Sequence, residues 1–163
     1  MKSVLILFGG NSSEHEISCK SALNVIDNID NELFKLHIVG IDKQGNWIEC
    51  SKNNIIKKDW YDLKPIDNIM KYLNKIDIVF PLMHGKFGED GKIQGMLDLF
   101  NIKYVGCKSV ASMIGMDKNL SKIFFKSINI PQVPYIKYDN NLKEIEKLGY
   151  PLIIKPCNGG SSI

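Results

Sequence analysis

Five consecutive apolar residues, Val4 to Phe8, stand at the head of the chain and are stopped by Gly9-Gly10. An uninterrupted run of strand length suits a parallel strand buried on both faces, so it predicts a central first strand. A helix follows. Ser13 and Glu16 stand three apart as a capping box, and Ala22, Val25, Ile26 and Ile29 then recur at helical spacing. Phe34–Ile41 returns to strand character, Lys43-Gln44-Gly45-Asn46 reads as a turn, and Trp47-Ile48 as a short strand. Residues 51–75 carry weak periodicity and are expected to be a connection with one helix near Ile66–Leu73. Ile76–Phe80 is the next strand. Beyond the loop Pro81–Asp90, the residues Ile93, Met96, Leu97 and Phe100 fall at i, i+3, i+4 and i+7, an amphipathic helix with Asp90 as its cap.

Lys103–Val105 predicts a further short strand ending at Gly106, and Ser109–Ile128 a helical stretch broken near Gly115–Asp117. Pro131 and Pro134 open a strand at Tyr135–Tyr138, a helix is expected over Leu142–Leu148, and a strand at Leu152–Lys155 runs into a Gly/Ser loop. Alternation of strand and helix makes residues 1–106 an α/β domain built on a doubly wound parallel sheet. The elements of 107–163 cannot close a core of their own, so they are expected to be the start of a second, incomplete domain.

Composition narrows the function classes. The net charge of +3 is small and the basic residues are scattered, which excludes the footprint of a nucleic-acid binder. All 21 of those basic residues are lysine; a site needing the bidentate fork of arginine would have to be completed from outside this sequence. Cys19, Cys50, Cys107 and Cys157 are dispersed without a CxxC pair, which points to reduced thiols and a cytoplasmic protein. The apolar run at the start is too short for a signal-peptide core or a membrane span, and no membrane partner is expected.

Three segments concentrate chemistry. Gly9-Gly10-Asn11-Ser12-Ser13-Glu14 lies between the first strand and its helix, where ligands of open α/β folds bind, but it lacks the GxGxxG of a dinucleotide site. Glu14 could compensate the helix dipole at the surface, or hold a substrate ammonium. His84-Gly85-Lys86-Phe87-Gly88-Glu89-Asp90-Gly91 is a second glycine-rich loop at the same sheet end, with His84 and Glu89 as polar candidates. Lys155-Pro156-Cys157-Asn158-Gly159-Gly160-Ser161-Ser162 offers a cation, backbone N–H groups and hydroxyls, the makings of a phosphate-facing loop. Lys118, after the N-cap Asp117, reads locally as a solvated lysine; paired with Lys155 it could approach one polyphosphate. A loop of that kind should cover a nucleotide held by further structure, so the chain is expected to be the front part of a longer enzyme.

Phe8-Gly9-Gly10-Asn11-Ser12-Ser13-Glu14-His15-Glu16-Ile17-Ser18, His84–Gly95, Tyr104-Val105-Gly106, Met116-Asp117-Lys118 and Ile154–Ser162 together resemble the D-alanine:D-alanine ligase family of ATP-grasp enzymes, in order and across nearly the whole chain. Phe8–Ser18, Lys86 and Gly106-Cys107 look most like the branch that joins D-alanine to D-serine in vancomycin resistance. The resemblance implies a Rossmann-like pre-ATP-grasp domain over 1–106 and the start of the central ATP-grasp domain over 107–163. It implies an ATP- and Mg²⁺-dependent ligase making a cell-wall dipeptide through an acyl phosphate, acting as a homodimer on D-alanine and a second D-amino acid. Glu14 matches the glutamate that binds the first D-alanine and helps fix the catalytic serine, Ser161 matches that serine, and His84 the histidine near the first substrate, with Glu89 beside it. Lys118 and Lys155 match the lysines on the ATP phosphates, with Ser161 and Ser162 in the same loop. The metal carboxylates are expected downstream. Another ATP-grasp carboxylate–amine ligase, or a non-catalytic binding or dimerisation module, are the alternatives.

Overall fold

The computed structural model describes residues 1–138 and 142–159. Its centre is a four-stranded sheet of β1 (Lys2–Gly9), β2 (Phe34–Ile41), β3 (Trp47–Glu49) and β4 (Ile78–Pro81), in the order β3-β2-β1-β4. β1 pairs in parallel with both β2 and β4, while β3 folds back antiparallel on β2 across the Asp42–Asn46 turn. Asp42 builds that turn: its carboxylate accepts from the backbone N–H groups of Gln44 (2.8 Å) and Asn46 (2.9 Å) and from the Asn46 side chain (2.8 Å).

Because side chains alternate across a strand, the apolar run of β1 feeds two cores. Val4, Ile6 and Phe8 pack with Cys19, Ala22 and Ile26 of α1 (His15–Asn28), with Ile55 of α2 (Lys52–Lys57) and with Trp60 of a short 3-10 helix, Trp60–Asp62. Leu5 and Leu7 pack on the opposite side with Tyr72 and Leu73 of α3 (Ile69–Leu73) and with Ile93 and Leu97 of α4 (Lys92–Leu99). Helices on both faces make the sheet doubly wound, as expected. Gly40 interrupts the apolar run of β2 for a steric reason: any Cβ there would lie 2.5 Å from the Trp60 ring and 2.8 Å from Phe8.

Several local expectations are corrected. The box at Ser13 and Glu16 does not form; α1 starts at His15 with Glu14 at the N-cap and no side-chain cap. A Ser51–Asn54 box instead caps α2, a helix hidden by the polar residues of 51–58. Gly91, in the left-handed region, is the N-cap of α4, and Asp90 accepts from the Lys92 N–H at 3.3 Å. Lys103–Val105 contributes only an isolated parallel bridge, Val79 to Tyr104, and the runs at Tyr135–Tyr138 and Leu152–Lys155 form no strand, since they have no ladder partner among the described residues.

α5 (Ser109–Met116) and α6 (Lys118–Ser127) are separate helices, broken where predicted, and Asp117 caps α6 by accepting from Asn119 and Leu120 N–H groups, both at 2.9 Å. α7 spans Leu142–Glu146. Among the described residues, every buried one falls between Val4 and Leu97.

Candidate active site

In a doubly wound sheet, ligands gather beyond the carboxyl ends of the strands, where neighbouring connections leave toward opposite faces. Here that point lies between β1, which leads into α1 on one face, and β4, which leads into α4 on the other. The two connections are the glycine-rich segments Gly9–Glu14 and Leu82–Gly91, and a cleft of about 590 Å³ opens between them and the α5–α6 junction. Its wall includes Asn11, Ser12, Ser13, Glu14, Gly85 and Lys86, with Met113, Asp117, Asn158 and Gly159 opposite.

The first loop is shaped by close backbone approach. Gly9 has φ +85°, and a Cβ on it would collide with the Ile41 carbonyl; the next residue, Gly10, donates its N–H to that same carbonyl at 2.7 Å. His15 is buried beneath the loop. Its Nδ1 lies 2.8 Å from the Gly10 carbonyl oxygen, its Nε2 2.9 Å from the Tyr61 hydroxyl, and its ring stacks on Trp60 at 5.9 Å. Burial pushes the Tyr61 hydroxyl up to about 12, so it stays a neutral partner for the imidazole.

Ser12 ties the two loops. Its hydroxyl donates to the His84 carbonyl at 2.8 Å and accepts from the Glu14 N–H at 3.2 Å. Ser18, one turn into α1 and buried, accepts from Gly9 N–H and donates to the Leu82 carbonyl, both at 2.7 Å, so one hydroxyl joins the ends of β1 and β4. Glu14 is half-buried at the positive end of α1, and its carboxylate fills the space a side chain at Gly85 would need. A carboxylate on a cleft wall beside a helix N-terminus can receive an ammonium group, while Lys92 on the same wall is paired with Asp90.

In the second loop Glu89 accepts from the Gly85 N–H at 2.7 Å and faces His84 Nδ1 at 3.7 Å, while His84 Nε2 lies 2.9 Å from the Ser21 hydroxyl. Gln94, buried, donates to the Gly88 carbonyl at 2.8 Å and holds the loop's far end.

Glu14 is thus on the cleft wall, whereas His84 and Glu89 stand behind Gly85 and shape its loop. Lys118 reaches across to the third segment: its backbone N–H donates to the Cys157 carbonyl at 2.9 Å and its ammonium to the Gly159 carbonyl at 2.8 Å, beside a bridge between Asp117 and Asn158. Lys155 is exposed and does not line the cleft. Ser161 and Ser162 lie outside the described residues. Among the described residues no group of three or more His, Cys, Asp or Glu could hold a metal ion. Sequence reasoning overlooked Ser12, His15, Ser18 and Ser21. Glu14, Ser18 and Ser21 fall at i, i+4 and i+7, a polar stripe on one face of a helix whose other face is apolar, and that spacing was the available signal.

A sequence model of the D-ala D-ala ligase N-terminus matches residues 3–107. The chain belongs to that family. Over 178 residues it is 40% identical to the D-alanine–D-alanine ligase of Clostridium acetobutylicum, covering 99% of this chain and 52% of the relative. Among solved structures it superimposes on the VanG D-Ala:D-Ser ligase from Enterococcus faecalis with a TM-score of 0.83 and 36% identity, covering 98% of this chain and 53% of that one. It likewise resembles the D-alanine–D-alanine ligase of Bacillus anthracis complexed with ATP, with a TM-score of 0.71, 31% identity and coverage of 98% and 48%. The chain therefore spans about half the length of the D-Ala–D-Ala ligase relatives it matches. Among the described residues, no helix is long and apolar enough to cross a membrane.

Proposed function

We propose that the protein carrying this chain is an ATP-dependent, cytoplasmic D-alanine:D-amino acid ligase that makes the dipeptide of the cell-wall precursor. The reaction transfers the γ-phosphate of ATP to the carboxylate of a first D-alanine, giving an acyl phosphate and ADP. The amino group of a second D-amino acid then attacks the acyl carbon, and phosphate leaves with the bonding pair. The observation that carries this reading is the Glu14 carboxylate, set at the head of α1 on the wall of a cleft at the sheet's switch point. There it would hold the first D-alanine's ammonium and help fix Ser161, while His84, steadied by Glu89, borders the same substrate. Lys118, joined to Gly159, would meet the ATP phosphates together with Lys155, Ser161 and Ser162. Mg²⁺ would neutralise charge on those phosphates.

The confinement of the buried core, among the described residues, to Val4–Leu97 supports a substrate-binding domain over 1–106, followed by the start of an ATP-grasp domain over 107–163. The protein is proposed to act as a homodimer, with either D-alanine or D-serine as second substrate. Purified complete protein should release phosphate from ATP only when D-alanine is supplied, and the mass of the dipeptide formed in a D-alanine and D-serine mixture names the second substrate. Phosphate release that another carboxylate–amine pair triggers and D-alanine does not would overturn the reading, as would no release at all.

A further inference from the structure

The contact between α1 and His84 has no place in the chemistry above. We propose that Ser21 is a positioning residue for the first-substrate pocket: its hydroxyl donates to Nε2 of His84 and so fixes both the ring's orientation and the nitrogen that carries the proton. This inference rests on the proposed ligase reading.

Four observations carry it. The Ser21 hydroxyl lies 2.9 Å from His84 Nε2. On the other side of the ring, Nδ1 faces a Glu89 carboxylate oxygen at 3.7 Å, and the second oxygen of that carboxylate is held at 2.7 Å by the Gly85 N–H. A carboxylate can only accept, so it favours hydrogen on Nδ1, and Nε2 is left as the acceptor that the serine hydroxyl satisfies. The rest of the residue is tethered as well, since the His84 carbonyl accepts from Ser12 at 2.8 Å. Finally, Ser21 stands seven residues after Glu14 on α1, and Ser18 between them clamps β1 to β4. One face of one helix thus carries the carboxylate of the pocket, the clamp between its two loops and the anchor of its imidazole.

The consequence is chemical. Imidazole free in water favours hydrogen on Nε2, so the pair Ser21 and Glu89 would hold His84 in the opposite tautomer, behind Gly85 of the cleft wall. Loss of the serine frees the ring to turn and to exchange tautomers, which loosens the first-substrate pocket and leaves the ATP side untouched.

The test uses the complete protein with ¹⁵N-labelled histidine, the His84 signals being assigned from a His84→Gln spectrum. Wild type should show the Nδ1–H tautomer for His84. Ser21→Ala should move it toward Nε2–H, and should raise KM for the first D-alanine about three- to tenfold, the range for one neutral hydrogen bond, with KM for ATP within about twofold. Ser21→Thr keeps the hydroxyl and should restore both the spectrum and KM, which a merely structural serine in a helix would not require. Alanine favours the helix at least as well as serine, so the variant should fold. An Nε2–H tautomer in wild type, or a Ser21→Ala protein with unchanged His84 signals, overturns the proposal. If wild type shows no D-alanine-dependent phosphate release, the ligase reading fails, and the imidazole spectra still decide the Ser21 contact.

Discussion

At Glu14 a single charge separates two roles that share one position. A surface glutamate at a helix N-cap needs only its negative end near the dipole, whereas a substrate-holding glutamate needs a cleft in front of it, and here there is one. Glu14→Gln in the complete protein keeps size and hydrogen-bonding capacity but removes the charge facing an ammonium, an interaction of about 1.5–3 kcal/mol. KM for the first D-alanine should therefore rise roughly tenfold to a hundredfold, with KM for ATP little changed. Steady-state kinetics with each substrate varied would read it, and a first-substrate constant within about twofold of wild type would return Glu14 to a dipole-compensating role. Ser18 makes the opposite kind of prediction, one of stability. Ser18→Ala leaves the buried Gly9 N–H and the half-buried Leu82 carbonyl without their partner, so unfolding in urea should require about 1–3 kcal/mol less. An unchanged midpoint would mean that β1 and β4 are held together by their ladder alone. Glu14 and the glycine loops were legible because their residue types are rare between a strand and a helix. Ser18 and Ser21 were not, because a serine in a helix is commonplace until the partner it bonds, 64 or 63 residues away, is known.

At the scale of elements, long apolar periods were readable and short or polar ones were not. β1 carries its own signal as an unbroken apolar run and α4 in period 3.6, since each presents whole faces to the core. α2 is six residues long with one buried side chain, and what makes it a helix is the Ser51–Asn54 box and the pocket that takes Ile55. The predicted strands at Tyr135–Tyr138 and Leu152–Lys155 show the converse, because β-propensity without a neighbouring strand yields no ladder. The β2–β3–α3 corner has a pH signature. His37 on β2 has its pKa lowered from 6.5, first by burial and then by the Lys75 charge, against an opposing pull from Glu49. A histidine whose folded pKa is depressed favours folding most when neutral, so its stabilisation is complete above the unfolded value of 6.5 and is lost as pH falls through the folded one. Chemical denaturation of wild type between pH 7.5 and pH 5 should show a fall in stability that His37→Gln reduces. Parallel curves for the two proteins would show that His37 titrates alike folded and unfolded.

Across the whole molecule, two loops from one sheet meet a third segment that belongs to none of its strands. All burial among the described residues lies within Val4–Leu97, yet the cleft is closed on its far side by Met113, Asp117, Asn158 and Gly159, so the site straddles the proposed boundary at residue 106. The sheet side presents the Glu14 carboxylate. Behind the far wall, next to Asp117, stands Lys118, whose ammonium is held by the Gly159 carbonyl at the root of the Gly/Ser loop. That division predicts separable substrate constants. In the complete protein Lys118→Ala should raise KM for ATP by about tenfold or more, the scale of one charge-assisted contact to phosphate. The constant for the first D-alanine should stay within about threefold, because Glu14 and its loops are untouched. Lys155→Ala should act in the same direction. Lys118→Ala also removes the Gly159 contact, so Lys118→Gln serves as the control: it can still donate to the carbonyl but brings no charge to a polyphosphate. If Lys118→Gln binds ATP as well as wild type while Lys118→Ala does not, the lysine holds the loop and not the nucleotide. If both lose ATP affinity alike, the charge is the working part. Unchanged ATP constants for Lys118→Ala and Lys155→Ala together would remove both lysines from the nucleotide site.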